Sequence, residues 1–173
     1  MTEAPNNPSL AEKDDMPKLC KMLYGIFAIS LLLQFVNLTA AMVGSIAVIA
    51  GVIVAYSERR KAAGTVYANH LQWLIRTFWI GGSVYLPVVT VLGAILLLFI
   101  TDHSVIDQTL NNPDANTTVE TLTQQFVAAN ATRMKITMFL FIAPFAIWWL
   151  WRCWYGWKRL MERRAIPNVM SWI

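Results

Sequence analysis

The sequence predicts an all-α, polytopic membrane protein: four transmembrane helices in two hairpins, with an interfacial amphipathic helix between the second and third spans. Hydrophobic residues make up 57% of the 173 residues and charged residues only 14%, far from the balance of a soluble domain. Uncharged stretches of membrane length recur along the chain, and short basic groups flank them. The surplus of apolar surface therefore requires lipid.

The first hairpin is predicted from an uncharged stretch at 22–57. This stretch has 36 residues, whereas one spanning helix needs about 20. The only polar cluster inside it consists of Gln34, Asn37 and Thr39. We therefore predict spans at about 19–36 and 40–56, joined by a tight turn at 37–39. One long tilted helix is the alternative.

An interfacial helix is predicted directly after the second span. Apolar residues recur there at helical spacing, namely Tyr67, Leu71, Leu74, Ile75 and Phe78. Polar residues fall on the other side, namely Asn69, Gln72 and Arg76. The uncharged run at 77–100 predicts the third span, and its glycines together with Pro87 predict a bend near that proline.

The longest loop, 101–132, contains no lysine or arginine. Thr117 followed three residues later by Glu120 is typical of a capping box, which predicts that the fourth helix begins inside this loop. That helix continues into the fourth span at 134–154, where Pro144 predicts a kink. Three glycosylation sequons, relevant only in a host that glycosylates, begin at Asn37, Asn116 and Asn130.

Two tails flank a transmembrane domain at 18–157. Residues 1–17 combine prolines, asparagines and acidic residues, too polar to bury a core, and predict a flexible cytoplasmic tail. Residues 158–173 continue a basic and aromatic segment that starts at Arg152. Such a segment is typical of a helix end at a membrane surface, so we predict a basic and aromatic cytoplasmic anchor.

The basic residues orient the chain. Twelve of the 14 fall in the N-terminal segment, the loop after the second span and the C-terminal tail, and only Arg133 and Lys135 fall on the other side. The positive-inside rule then places both termini in the cytoplasm. A cleaved signal peptide is the alternative, but the apolar stretch continues into a second membrane-length segment, which favours a hairpin. Basic residues used as topology signals predict no nucleic-acid partner.

Small residues at four-residue spacing predict close packing along one face of the second span. They are Ala40, Gly44, Ala47, Gly51 and Ala55. Their partner is either the first helix or another subunit, and we favour the first helix.

Catalytic, cofactor and metal-binding residues are not predicted. His70 and His103 fall on opposite sides of the predicted topology, and His70 with Cys20 and Cys153 matches no metal motif. The sequence contains no phosphate-binding glycine loop, serine elbow or HExxH motif. The span centres lack the ionisable residues that ion-coupled transport normally requires.

A dozen residues carry a resemblance to a known group. Residues 67–78 read YANHLQWLIRTF, after ERRKAAGT. This pattern resembles small bacterial four-helix membrane proteins of unknown function, which are distantly similar to the chloroplast Tic import subunits. The matching positions are His70, Gln72, Trp73, Arg76, Thr77 and Phe78. The resemblance covers about 20–157 in topology; it implies a four-span fold in the bacterial inner membrane, and it implies no activity.

These features favour a non-enzymatic accessory or assembly subunit whose basic and aromatic cytoplasmic face contacts a protein partner or anionic lipid, besides the surrounding bilayer. The candidate contact residues are His70, Trp73, Arg76 and Trp79. One alternative is a component of a membrane transport system, with a path lined by the helices bent at Pro87 and Pro144. Another is a small lipid-modifying membrane enzyme, which requires a cavity containing His70 and a reactive Cys20 or Cys153.

Overall fold

The computed structural model describes residues 10–111 and 118–170, and the regular structure within them is entirely helical. The elements are α1 (Leu10–Leu33), α2 (Leu38–Lys61), α3 (Val66–Trp79), a π-helical segment (Ile80–Tyr85), α4 (Leu86–Ile100), α5 (Ser104–Asn111) and α6 (Val119–Met161). Parts of four predictions lie outside the described residues: the tail at 1–9, the sequon at Asn116, the capping residue Thr117 and the end of the anchor at 171–173.

Four helical stretches are long and apolar enough to cross a membrane. They are Asp15–Leu33, Leu38–Lys61, Val66–Ile100 and Val119–Met161. The third runs from α3 through the π-helical segment to the end of α4. This result confirms the all-helical class and the number of helices of spanning length, while insertion in a membrane and an interfacial position for α3 stay predictions.

Several helix ends differ from the ends of the predicted spans. α1 begins at Leu10 and contains Pro17, so part of the predicted tail is helical. The turn lies at 34–36, so its predicted position at 37–39 is wrong. Asn37 instead caps α2, which begins at Leu38: its side chain accepts a hydrogen bond from the Ala40 backbone N–H at 2.8 Å. The structure thus shows a hairpin rather than one tilted helix. α6 runs for 43 residues, because it begins in the loop as the sequence predicted.

The helices form two compact units. The first comprises the chain up to Val84 together with residues from Ala146 onward, and the second comprises Tyr85–Phe145. The chain passes from one unit to the other close to Pro87 and again close to Pro144. The bends at Pro87 and Pro144 stay predictions.

In the first unit, α2 packs against α1 through its small residues. A Cβ added to Gly44 would lie 2.9 Å from the Ser30 carbonyl oxygen, too close for any side chain. A Cβ on Gly51 would lie 3.4 Å from Leu23 and Phe27. Ala55 is also fully buried, while Ala40 and Ala47 are half-buried. Gly44 and Gly51 of the predicted stripe thus lie against α1 of the same chain, while the contacts of Ala40, Ala47 and Ala55 with α1 stay a prediction.

The second unit contains α4, α5 and the first part of α6. Asn130 on α6 is fully buried: its Oδ1 accepts from the Asp102 backbone N–H at 2.6 Å, and its Nδ2 donates to the Asp102 carbonyl at 3.0 Å. The Asp102 carboxylate accepts from the Ser104 N–H at 2.9 Å, and this backbone hydrogen bond lowers the pKa of Asp102. Because the Asn130 amide is enclosed, the sequon that begins there is closed to a glycan.

Candidate functional site

The interior of the first unit holds a fully buried arginine. Arg152, on α6, has no exposed surface, although the sequence placed it in a surface anchor. Its guanidinium carbon lies 3.6 Å from the Trp73 ring centroid and 5.3 Å from the Trp148 centroid. A desolvated cation over an aromatic face gains about 2 kcal/mol or more. The two indoles therefore replace part of the hydration that burial removes.

Hydrogen bonds complete this connection between α3 and α6. The Trp73 Nε1–H donates to the Arg152 carbonyl at 3.1 Å, and the Arg152 Nε–H donates to the Thr77 hydroxyl at 2.9 Å. The Thr77 hydroxyl in turn donates to the Trp73 carbonyl at 2.8 Å. We call Trp73, Thr77 and Arg152 the clamp. Each member contacts both others, so the clamp fixes the rotation of the two helices about their own axes.

A second buried connection runs from α1 through α3 to the C-terminal segment. Tyr24 and His70 are both buried, and the Tyr24 hydroxyl lies 3.0 Å from His70 Nδ1. His70 Nε2 lies 3.1 Å from the Arg164 carbonyl, which can only accept. We therefore assign the proton of the neutral ring to Nε2, and the Tyr24 hydroxyl donates to Nδ1. Both ring nitrogens have hydrogen-bond partners, and His70 joins α1 to the segment after α6.

The residues after α6 fold back onto α3. The Asn69 amide donates to the Ile166 carbonyl at 3.1 Å and accepts from the Ile166 N–H at 2.8 Å. The Ile166 side chain is buried at 2% exposure. Further along, Arg76 donates to the Met170 carbonyl at 3.0 Å. The chain from the end of α6 to Met170 is therefore part of the packed unit.

Exposed basic side chains collect at this end of the first unit. They are Arg60, Lys61, Lys158, Arg163 and Arg164, which we call the basic end. The contacts that join the C-termini of α2 and α6 to the start of α3 bring them together, including the hydrogen bond from Arg59 to Gln72. Glu58 pairs with Lys61 and Glu162 with Arg164. Two carboxylates among five cations leave the basic end positive.

No protein-family model, curated protein or solved structure matches this chain. The resemblance to small bacterial four-helix membrane proteins therefore stays a prediction, and the geometry above carries the functional argument.

The structure separates the four candidate contact residues. His70 and Trp73 are buried inside the first unit, where their polar atoms bond to other parts of the chain. Arg76 is half-buried and engages the C-terminal segment. Trp79 is 50% exposed, and its Nε1–H donates to the Tyr56 hydroxyl at 2.8 Å. Contact with a partner or lipid stays a prediction, and Trp79 has the greatest surface for it.

Sequence reasoning missed Tyr24, Asn69, Arg152 and Gly156 as parts of the site. For Arg152 a signal was present, because a single arginine stands four residues after Trp148 inside an aromatic run, the spacing of a helical stacking pair. For Gly156 nothing local revealed its role. A Cβ there would lie 2.3 Å from the Tyr24 hydroxyl oxygen, so only glycine leaves room for that ring.

The two cysteines are free thiols, and both are buried. Within residues 10–111 and 118–170, no group of three or more His, Cys, Asp or Glu side chains is arranged to hold a metal ion. The lipid-modifying alternative needs a reactive thiol beside His70. In this structure both ring nitrogens of His70 are engaged with Tyr24 and Arg164 instead.

Proposed function

We propose that this chain is an accessory or assembly subunit of an inner-membrane complex, with both termini in the cytoplasm and the basic end as its contact surface for a protein partner. The outward sides of the helices support a membrane location. Large apolar side chains such as Ile46, Ile53 and Phe99 are more than 60% exposed, which costs little in lipid and a great deal in water.

The observation that carries this proposal is the preorganisation of the basic end. The segment after α6 is hydrogen-bonded to α3 at Asn69, His70 and Arg76, so the backbone that carries Arg163 and Arg164 is held in place. A partner then binds without the free-energy cost of ordering that segment. A flexible tail that only needed to attract lipid headgroups would not require these hydrogen bonds.

Arg163 adds support. It follows the end of α6 with a φ of 53°, the left-handed conformation that favours glycine. The Arg164 N–H donates to the Arg159 carbonyl and the Arg163 N–H to the Leu160 carbonyl, both at 3.0 Å, a Schellman cap. The sequence thus places a cation at a position where a side chain costs free energy. Recognition of an acidic partner would account for that choice.

The test is purification from the native membrane in mild detergent after chemical crosslinking, with mass spectrometry of every bound protein. We expect a stoichiometric partner whose crosslinks map to the basic end. The double variant Arg163→Gln with Arg164→Gln should lower its yield by roughly a factor of ten, because charges at an interface steer and hold an oppositely charged partner. The matched control, Arg133→Gln with Lys135→Gln, removes the same charge from the second unit and should leave the yield unchanged.

Equal losses in both double variants would contradict the proposal, since a general charge effect would then be at work. Isolation of the chain without any partner, but with a bound small molecule, would favour the transport alternative. A change in the lipid composition of cells that lack the chain, together with no partner, would favour the lipid-modifying alternative.

A further inference from the structure

A groove runs along the surface of the first unit between α1 and α6. Its floor on α1 is made by Gly25 and Ala28, and its wall on α6 by Leu150, Cys153, Trp154 and Trp157. It has a volume of about 380 Å³, toward the lower end of the range for small-molecule sites. The groove exists because α1 presents small residues where α6 presents large ones.

The floor of the groove is unfilled at Gly25. A Cβ built at this glycine meets nothing within 4 Å, whereas one at Gly44 or Gly156 would clash. Gly25 is therefore not required for the packing of α1 against its neighbours. It leaves open space in the groove beside Trp154 and Trp157, which are 59% and 39% exposed.

The lining of the groove is suited to a hydrocarbon. Tyr24, which also borders it, is 1% exposed and directs its hydroxyl to His70, so its polar atom does not face the groove. The remaining lining side chains are aliphatic, aromatic or the Cys153 thiol, and none of them is charged. A flexible acyl chain fits such a surface, since it gains by burial and requires no hydrogen-bond partner.

Two lysines stand at one end of the groove. Tyr24 lies against Gly156 and Phe27 stacks on Trp149 at 5.6 Å, so α1 and α6 run antiparallel here. This register brings Lys21, one turn before Gly25, level with Lys158, one turn after Trp154. Lys158 Nζ lies 5.6 Å from the Trp154 ring centroid, at the edge of the groove wall.

We propose that this groove binds one acyl chain of an anionic phospholipid, with the lipid phosphate at Lys21 and Lys158. Charge at one end and hydrocarbon along the length match the two parts of such a lipid, and exposed indoles are typical of the depth between them. An apolar helix of a partner protein would fill the groove but would place no anion at Lys21 and Lys158, whereas a phospholipid supplies both parts. The site depends on the membrane location proposed above, but not on the existence of a protein partner.

The test uses the full chain reconstituted in phosphatidylcholine vesicles that contain a small fraction of a photoactivatable lipid. The probe is phosphatidylglycerol with a diazirine in its acyl chain, and the comparison is phosphatidylcholine with the same chain. After irradiation, labelled peptides are identified by mass spectrometry. We expect the phosphatidylglycerol label to concentrate on 24–28 and 150–157, and to exceed the phosphatidylcholine label there by roughly tenfold, because each surface lysine adds attraction for an anionic lipid.

Two substitutions separate the two parts of the site. Gly25→Leu fills the floor and should reduce labelling of the groove by both lipids about tenfold, since one buried apolar side chain replaces the acyl chain. Its control, Ala50→Leu, adds the same side chain at an exposed position of α2. Lys21→Gln with Lys158→Gln should abolish the preference for phosphatidylglycerol while labelling persists. Its control removes two other cations, Lys18→Gln with Lys61→Gln.

Each contrary outcome has a distinct meaning. Equal labelling of the groove and of the outer face of α2 would show only surrounding lipid and would overturn the site. A crosslinked protein in place of lipid at 150–157 would assign the groove to a partner helix and would also overturn it. If Gly25→Leu does not fold, Ala28→Leu fills the same floor. If alkaline carbonate extracts the chain from membranes, then the membrane location and the lipid site are both overturned.

Discussion

Several buried polar side chains in this protein form hydrogen bonds and also fill space in the packed interior. Arg152 shows this most clearly, since its guanidinium is a flat surface against Trp73 and a hydrogen-bond donor to Thr77. A buried charge stabilises a fold only when its geometry is close to ideal. The clamp therefore depends on the shape of the guanidinium and not on its charge alone.

Arg152→Lys should destabilise the first unit by about 2 kcal/mol, because an ammonium keeps the charge but loses the planar stacking and the fixed donor geometry. Thermal unfolding in mild detergent measures this. Arg159→Lys is the control: Arg159 stacks on Tyr155 at 5.5 Å but is only half-buried, so we expect a change within about 0.5 kcal/mol. Equal effects at the two positions would refute a special role for the clamp.

Gly156→Ala should destabilise by about 1–3 kcal/mol, the usual cost of overpacking a closed interior. The new methyl group would overlap the ring of Tyr24, which is 1% exposed and cannot move aside without breaking its hydrogen bond to His70. The same unfolding measurement tests it. Gly25→Ala adds the same methyl group in open space and should be neutral or slightly stabilising. An unchanged Gly156→Ala protein would mean that α6 shifts freely against α1.

At the level of elements, the C-terminal ends of two helices supply cations to the basic end. α2 ends in Arg59, Arg60 and Lys61, and the last turn of α6 contains Lys158 and Arg159. Cations near a helix C-terminus are favoured by the helix dipole, so these positions are stable sites for positive charge. The same feature that ends each helix well thus builds the basic end.

One substitution at the C-terminal cap of α6 should stabilise the protein, in contrast to the destabilising substitutions above. Arg163→Gly should stabilise the protein by about 0.5–1 kcal/mol, because the left-handed conformation costs a residue with a side chain roughly 1–2 kcal/mol and glycine recovers part of it. Arg164→Gly removes the same charge at a position without positive φ and should not stabilise. If partner binding is lost in the more stable Arg163→Gly protein, then Arg163 is retained for recognition at the expense of stability.

At the scale of the whole molecule, the proposed membrane orientation can be tested at two positions on opposite sides of the third span. Ala63→Cys lies in the turn between α2 and α3, and Ser104→Cys at the start of α5, and both positions are exposed. The natural cysteines are buried, so they can stay in place. We expect a membrane-impermeant maleimide to label Ser104→Cys in intact cells and Ala63→Cys only after permeabilisation, as the positive-inside rule requires.

The reverse labelling pattern would mean that the chain has the opposite orientation, with the basic end outside the cytoplasm. Labelling of both positions in intact cells would mean that no helix between them crosses the membrane. The chain without added cysteine serves as the background for each measurement.

The helical class, the four helices of spanning length, the division of the first apolar run into two helices and the start of α6 inside the loop could all be predicted from the sequence. Each of these follows from the local order of residues, since the length of an uncharged run and the spacing of polar groups are properties of one segment. The small residues of α2 were predicted for the same reason, because their spacing marks one face of one helix.

The residues that those helix faces contact could not be predicted from the sequence and are seen only in the folded structure. Arg152 belongs to the interior because Trp73, 79 positions earlier in the chain, comes to lie over its guanidinium, and the role of Gly156 is defined by the ring of Tyr24. His70 has a structural role because the segment after α6 folds back and bonds to it through the Arg164 carbonyl. Such contacts join residues far apart in sequence, so no local pattern specifies them; they exist only once the helices have packed and water has been excluded from between them.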